Sequence, residues 1–293
     1  MRASKVNSAF SLIELSIVIL VIGILISGII GGEILMTKFR VLNAQTLTQS
    51  SPVSSIKGLH AWYETTSQKS FDSAVVANNS PVTEWYDLNT QKTPGLKLTQ
   101  STASSKPTYN LKSLNSLPTV SFDGGDSLAS IANFDMTGNP SFTSFVVARV
   151  RGGNWGTIFA AGTNQTCNSV FLVANNGLIY TAFKDVGQTY SHDTMAASSK
   201  FAIHVWAREA NNVNNNLTGN TAFVNGKRQT LVDLPNPCTP NISTSTLSVG
   251  SFGTFGSYLI GDIAEIIIFD RALKATDREP VEQYLSKKWA IKL

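Results

Sequence analysis

Residues 8–36, SAFSLIELSIVILVIGILISGIIGGEILM, constrain this chain more than any other stretch. A basic leader carrying Arg2 and Lys5 runs into Ala9 and Phe10. From there to Leu35 the positions are almost all apolar, small or glycine except Glu14 and Glu33. About 20 apolar residues at 1.5 Å each match a hydrocarbon core of about 30 Å, so the run is long enough to span a membrane. Glu14 is the anomaly, because a carboxylate inside such a helix costs roughly 2.5 to 3.5 kcal/mol on insertion scales and needs a partner. An ordinary secretory signal peptide, an uncleaved anchor and a buried core helix are the competing readings. A signal peptide carries its small-residue cleavage site after a shorter apolar run, whereas here the small residue precedes a longer one. Arg2 and Lys5 are expected to stay cytoplasmic, which sends everything after the helix outward.

The run Ala9-Phe10-Ser11-Leu12-Ile13-Glu14 followed by an apolar helix resembles the type IV prepilin signal. That resemblance implies cleavage between Ala9 and Phe10 by a prepilin peptidase and methylation of the new Phe10 amine. Glu14 then pairs with the terminal amine of a neighbouring pilin or pseudopilin subunit, which neutralises two charges that would be costly alone. The implied localisation is the bacterial inner membrane, with a periplasmic or extracellular head.

Composition bounds what lies beyond the helix. The 293 residues are 42% hydrophobic and 14% charged, with a net charge of +4. This is room for one large outer domain with a real core. No Lys/Arg cluster with interleaved aromatics suggests nucleic acid as a partner. Cys167 and Cys238 fall in the expected exported part, where one disulfide would contribute about 4 kcal/mol in the chain-entropy model. Two unpaired thiols are the alternative.

The helix is expected to run past the membrane to about Gln49, with Leu42 and Leu47 keeping a three-to-four spacing, and Pro52 ends it. From Ile56 the texture turns to β. Expected strands are 59–63, 119–123, 143–150, 157–161, 170–174, 178–183, 201–208, 221–224, 246–250 and 263–269. Asn176-Gly177 and Asn225-Gly226 are two-residue hairpin turns. Thr276-x-x-Glu279 reads as a capping box, and Val281, Leu285 and Trp289 as the apolar face of a final helix. The fold class is mainly β: a long N-terminal transmembrane helix, an antiparallel sandwich and a short C-terminal helix.

Four stretches carry a second resemblance: Lys57-Gly58-Leu59-His60-Ala61-Trp62-Tyr63, Val82-Thr83-Glu84-Trp85-Tyr86-Asp87, Leu117-Pro118-Thr119-Val120-Ser121-Phe122-Asp123-Gly124, and Gly261 to Leu273 with Tyr284 to Trp289. They resemble concanavalin A-like, laminin-G-type jelly rolls. The implied organisation is a leader (1–9), a transmembrane and assembly helix (10–51), a linker (52–55) and a jelly-roll head (56–293). One such fold hosts sugar binders, protein binders and hydrolases.

The individual residues mostly have structural explanations. Trp62 and Trp85 read as core aromatics. Asp123 and Asp126 flank Gly124-Gly125 as a weak Ca²⁺ candidate, with a tight turn as the alternative. Asp262 and Glu265, three apart on a strand, are expected on opposite faces. Asp270-Arg271 reads as a local ion pair. Laminarinase-like glucanases use Glu-x-Asp-x-x-Glu, which the chain lacks, and no Gly-x-Ser-x-Gly elbow occurs. His60, His192 and His204 have no metal-ligand spacing. No cofactor is expected beyond that Ca²⁺ candidate. The expected function is a minor pilin or pseudopilin, not an enzyme, whose head binds a glycan or surface protein. The Asn-rich loops 164–169 and 211–220 are its candidate contacts. A membrane-tethered glycan-active enzyme and a purely structural subunit are the alternatives.

Overall fold

The computed structural model describes residues 12–72, 77–92, 95–152, 155–162, 169–175, 178–182, 188–191, 200–210, 219–233, 241–242, 246–252 and 257–293. Within these, side chains are not described at 14, 24–31, 33–34, 171, 175, 178–182, 188–191 and 232–233. The chain divides into two compact units, 1–43 and 44–293.

Helix α1 (Leu12–Gln49) crosses that division. Its end agrees with the expected stop. Ser51 donates to Thr48 O at 3.3 Å, and a short 3₁₀ turn, Val53–Ser55, follows Pro52. Among the described residues no helix is long and apolar enough to cross a membrane, so the expected spanning segment rests on sequence alone.

The second unit contains β1 (Leu59–Glu64), β2 (Ser80–Pro81), β3 (Glu84–Tyr86), β4 (Lys97–Thr99), β5 (Thr108–Leu114), β6 (Leu117–Asp123), β7 (Leu128–Ser130), β8 (Phe142–Gly152) and β9 (Gly156–Gly162). It continues with β10 (Ser169–Asn175), β11 (Leu178–Ala182), β12 (Gln188–Ser191), β13 (Ala202–Arg208), β14 (Asn220–Val224), β15 (Lys227–Arg228), β16 (Leu231–Asp233), β17 (Leu247–Val249), β18 (Ile260–Phe269) and α2 (Ala275–Trp289). The strands form two antiparallel sheets. The first runs β15-β14-β13-β8-β18-β6-β5-β2, with β1 also on β18; the second runs β16-β12-β11-β10-β9-β17-β7-β4-β3. This is the expected β-sandwich with a C-terminal helix. Its core lies between the sheets, built on Trp85, Phe122, Phe142, Trp206, Ile263, Ile266 and Ile268.

The long expected strands are present, whereas β3, β4 and β7 are three residues each, too short to show a period of two. Asn225 and Gly226 make the expected turn with φ of 49° and 74°, joining Val224 to Lys227. Asn176-Gly177 lies outside the described residues. The capping box does not form: α2 begins at Ala275 behind Lys274, without a side-chain cap. Arg271 pairs with Asp277 at 2.7 Å rather than with its neighbour Asp270. Asp270 has another task, its N–H donating to Gly58 O at 2.8 Å.

Strand β18 is central to both the fold and the site. Its first half pairs with β6 (Ile263↔Val120) and its second with β1 (Glu265↔Glu64, Ile267↔Trp62). Against β8 its register slips between Ile263 and Glu265, leaving Ala264 as a bulge. Ile263 and Ile266 both point into the core, so Asp262 and Glu265 both point out. That corrects the expectation of opposite faces: the strict alternation assumed for three-apart residues fails at the extra residue.

Candidate functional site

The outer face of the first sheet is divided into two polar clusters, one beneath α2 and one open. Beneath α2, Glu64 and Glu265 face each other across β1 and β18 and would repel. Lys288 lies between them, its Nζ 2.8 Å from Glu64 Oε2 and 3.0 Å from Glu265 Oε2, with all three side chains fully buried. Neutral donors satisfy the remaining lone pairs. Thr66 N and Oγ1 each reach Glu64 Oε2 at 2.7 Å, and Ser67 N donates to Oε1. Trp62 Nε1 and Tyr284 OH reach Glu265 Oε1 at 2.7 and 2.8 Å, and Trp289 Nε1 reaches Oε2 at 2.8 Å. Burial pushes the Tyr284 hydroxyl well above its usual range, so it acts as a neutral donor.

The end of α1 that belongs to this unit joins the same network. Thr48 Oγ1 lies 3.3 Å from Tyr284 OH, and Gln45 Nε2 donates to Thr66 O at 2.8 Å. This cluster binds α2 and residues 44–49 to the sheet. With no solvent access, its carboxylates are structural. Trp62 and Trp85 are both buried: Trp85 is the expected core aromatic between the sheets, its Nε1 donating to Glu64 O at 3.0 Å, whereas Trp62 belongs to the cluster beneath α2.

The open cluster lies on the half of the face beyond Ala264. Asp262 is 1% exposed and receives Arg149 Nε at 2.5 Å and Arg151 Nε at 3.2 Å. Arg151 Nη2 also donates to Ser121 Oγ and Phe122 O, both at 2.9 Å. The Arg149 guanidinium lies over the Phe201 ring, 4.8 Å from its centroid. The two arginine side chains keep 27% and 38% of their surface in solvent. None of these residues was singled out from the sequence except Asp262. The alternation Arg-Val-Arg along 149–151, flanked by apolar inward residues, was the available signal.

Other expected residues occupy separate places. Asp126 Oδ2 accepts Asp123 N at 2.9 Å, and Asp123 Oδ1 accepts Gly125 N at 2.9 Å, so both carboxylates brace the turn. Burial pushes Asp126 up to about 6. Among the described residues no three His, Cys, Asp or Glu side chains gather as metal ligands. His60 and His204 are buried. Lys92 Nζ lies 3.1 Å from His60 Nδ1, and burial lowers the His60 pKa. A pocket of about 440 Å³ lies between the β14–β15 turn and α2, lined by Lys227, Arg278, Glu279 and Glu282. There Arg278 stacks on Phe223 at 3.8 Å and pairs with Glu282, and burial raises Glu282 to about 7. Ala9, Phe10, Cys167, His192 and Cys238 lie outside the described residues, as do the Glu14 side chain and most of loops 164–169 and 211–220.

No family model matches the chain, and no curated protein does. Solved structures similar to it include a Trypanosoma rangeli sialidase, at 12% identity and a TM-score of 0.47, covering 87% of this chain and 39% of that one. The botulinum neurotoxin serotype D ligand binding domain in complex with N-acetylneuraminic acid is 12% identical, with a TM-score of 0.47, covering 80% and 52%. Mouse laminin alpha1 domains LG4-5 are 14% identical, with a TM-score of 0.39, covering 53% and 42%. The chain thus spans about two fifths to one half of these proteins. The expectation of a chain without enzymatic activity is corrected here: a sialidase stands among the similar structures, beside toxin and laminin binding domains. The likeness spans enzymes and binders, and at these TM-scores it assigns neither to this chain.

Proposed function

We propose that this chain is a minor pilin or pseudopilin-like subunit that is anchored in the inner membrane through its N-terminal helix and displays a ligand-binding sandwich head outside it. The observation that carries this reading is the apolar surface of α1. Six consecutive large residues, Ile17 to Ile22, are between 48 and 63% exposed, and Leu12 is 85% exposed. At 100° per residue, six successive positions cover the whole circumference of a helix. A helix apolar all round needs lipid or other helices against it; the membrane supplies the first and copies of the same helix in a filament supply the second.

Within that reading the leader is cut between Ala9 and Phe10, and the Phe10 amine meets Glu14 of a neighbouring copy. The head takes a glycan or a surface protein, and copies along a filament turn weak contacts into adhesion by raising effective concentration. The test of the anchor is the mature N-terminus by mass spectrometry: Phe10, methylated, is expected, and a start near Ile29 or Glu33 refutes it. For the head, the full chain in detergent is screened on a glycan array and against surface proteins. Binding to at least one class is expected, and silence on both favours a purely structural subunit.

A further inference from the structure

The geometry points to the open cluster of Arg149, Arg151 and Asp262 as a binding site for a carboxylate-bearing polysaccharide. This deepens the ligand-binding reading above and rests on it. Two guanidinium groups share one buried carboxylate, so one positive charge at the cluster is left without a counter-charge from Asp262. Each arginine reaches Asp262 through Nε, and Arg151 is further fixed by Ser121 Oγ and Phe122 O. The side chains are thereby held in place while 27% and 38% of their surface remains in solvent. Holding such a group before the ligand arrives reduces the ordering cost of binding.

The groups facing the pair come from four neighbouring strands or their ends. Asp262 is on β18, Ser121 on β6, Ser113 Oγ on β5 lies 3.5 Å from Arg149 Nη2, and Phe201 stands at the start of β13. Asp262 is the only anion bonded to either arginine among the described residues.

Arg149, held to Asp262 through Nε, presents its Nη1–Nη2 edge as a planar fork that matches a carboxylate, while Arg151, whose Nη2 is taken by Ser121 and Phe122, adds its charge and the N–H groups of Nη1. The serine hydroxyls match sugar hydroxyls, and the Phe201 ring offers an apolar edge. The cluster lies on the outer face of the sheet with both arginine side chains partly in solvent, an arrangement that suits a chain of uronic acid residues laid across the strands. Affinity comes from repeated contacts along the chain.

The test titrates the full chain in detergent with polygalacturonate, a neutral galactan and a polysulfated glycan, by calorimetry. Polygalacturonate is expected to bind at least tenfold tighter than galactan. Arg149→Gln/Arg151→Gln is expected to lose at least tenfold of that affinity, and Arg149→Lys/Arg151→Lys most of it, because lysine keeps the charge and lacks the fork. Melting curves report folding. If the Gln pair unfolds, Arg149→Gln/Arg151→Gln/Asp262→Asn, which leaves no buried charge, takes its place with the same expected loss. Unchanged binding by the Gln variant, or a Lys variant equal to wild type with polysulfate bound as well as polygalacturonate, overturns the site. Binding of neutral glycans alone overturns this inference and leaves the proposed function standing. Silence on every glycan and surface protein removes the reading beneath it.

Discussion

Two acidic residues three apart on β18 have opposite fates. Glu265 is enclosed with Glu64, Lys288 and six neutral donor groups under α2. Asp262 holds two arginines that keep about a quarter to two fifths of their surface in water. Both carboxylates face outward because of the bulge at Ala264. The difference is one of completion. The covered half satisfies every carboxylate oxygen within the chain, and so it joins helix to sheet without needing anything else. The open half carries two cations for one anion and keeps contact with solvent, which is the condition for exchanging water for a ligand.

The largest expected effect breaks the covered half. Lys288→Met leaves two fully buried carboxylates facing each other, and a loss of about 3 to 5 kcal/mol in urea unfolding of the full chain is expected. Trp62→Phe removes one donor to Glu265 and should cost about 1 to 3 kcal/mol by the same measurement. Asp262→Asn in the open half is expected to cost about 1 kcal/mol, because its arginines can return to water. A larger loss there than for Lys288→Met would erase the distinction.

A pH series sharpens the comparison with the inward side of the sheet. Burial holds His204 down to about 4 against an ordinary 6.5. Between these values the unfolded chain takes up a proton that the folded chain does not, so His204 withdraws stability as pH falls from 6.5 to 4. His204→Gln is therefore expected to lose less stability than wild type over that window, read from denaturation midpoints. Glu282 acts in the opposite sense. Its carboxyl is raised to about 7, so the folded chain keeps a proton that the unfolded chain has lost. Stability falls as pH rises from 4.5 to 7, and Glu282→Gln should flatten that slope. The smallest effect belongs to the exposed pair Lys97–Glu84 at 2.5 Å: Lys97→Ala should cost about 0.2 to 1 kcal/mol, vanishing at high salt.

Much of the sandwich was legible because its long strands are bounded by turn residues and carry β-branched and aromatic runs. The Asn225-Gly226 turn was readable for the same local reason. What was hidden depended on partners distant in sequence. Lys288 looks like any cation near a helix end, and its burial follows only once α2 is placed over Glu64 and Glu265, 224 and 23 residues away. The bulge at Ala264 has no glycine or proline to announce it, so the shared face of Asp262 and Glu265 could not be read from spacing. Arg149 and Arg151 form a site only when β8 lies against β18. Asn115 and Ser116, with φ of 51° and 59°, make a tight turn from Leu114 to Leu117 without the Asn-Gly signature.

Hydrogen exchange on the full chain, with and without polygalacturonate, tests the contrast between the two halves most directly. Added protection is expected in the peptides containing 149–151 and 260–263, with none in those containing 62–67 and 284–289. Protection confined to the α2 side, or spread equally over both halves, would contradict the assignment of the open half as the ligand face and the covered half as a structural joint.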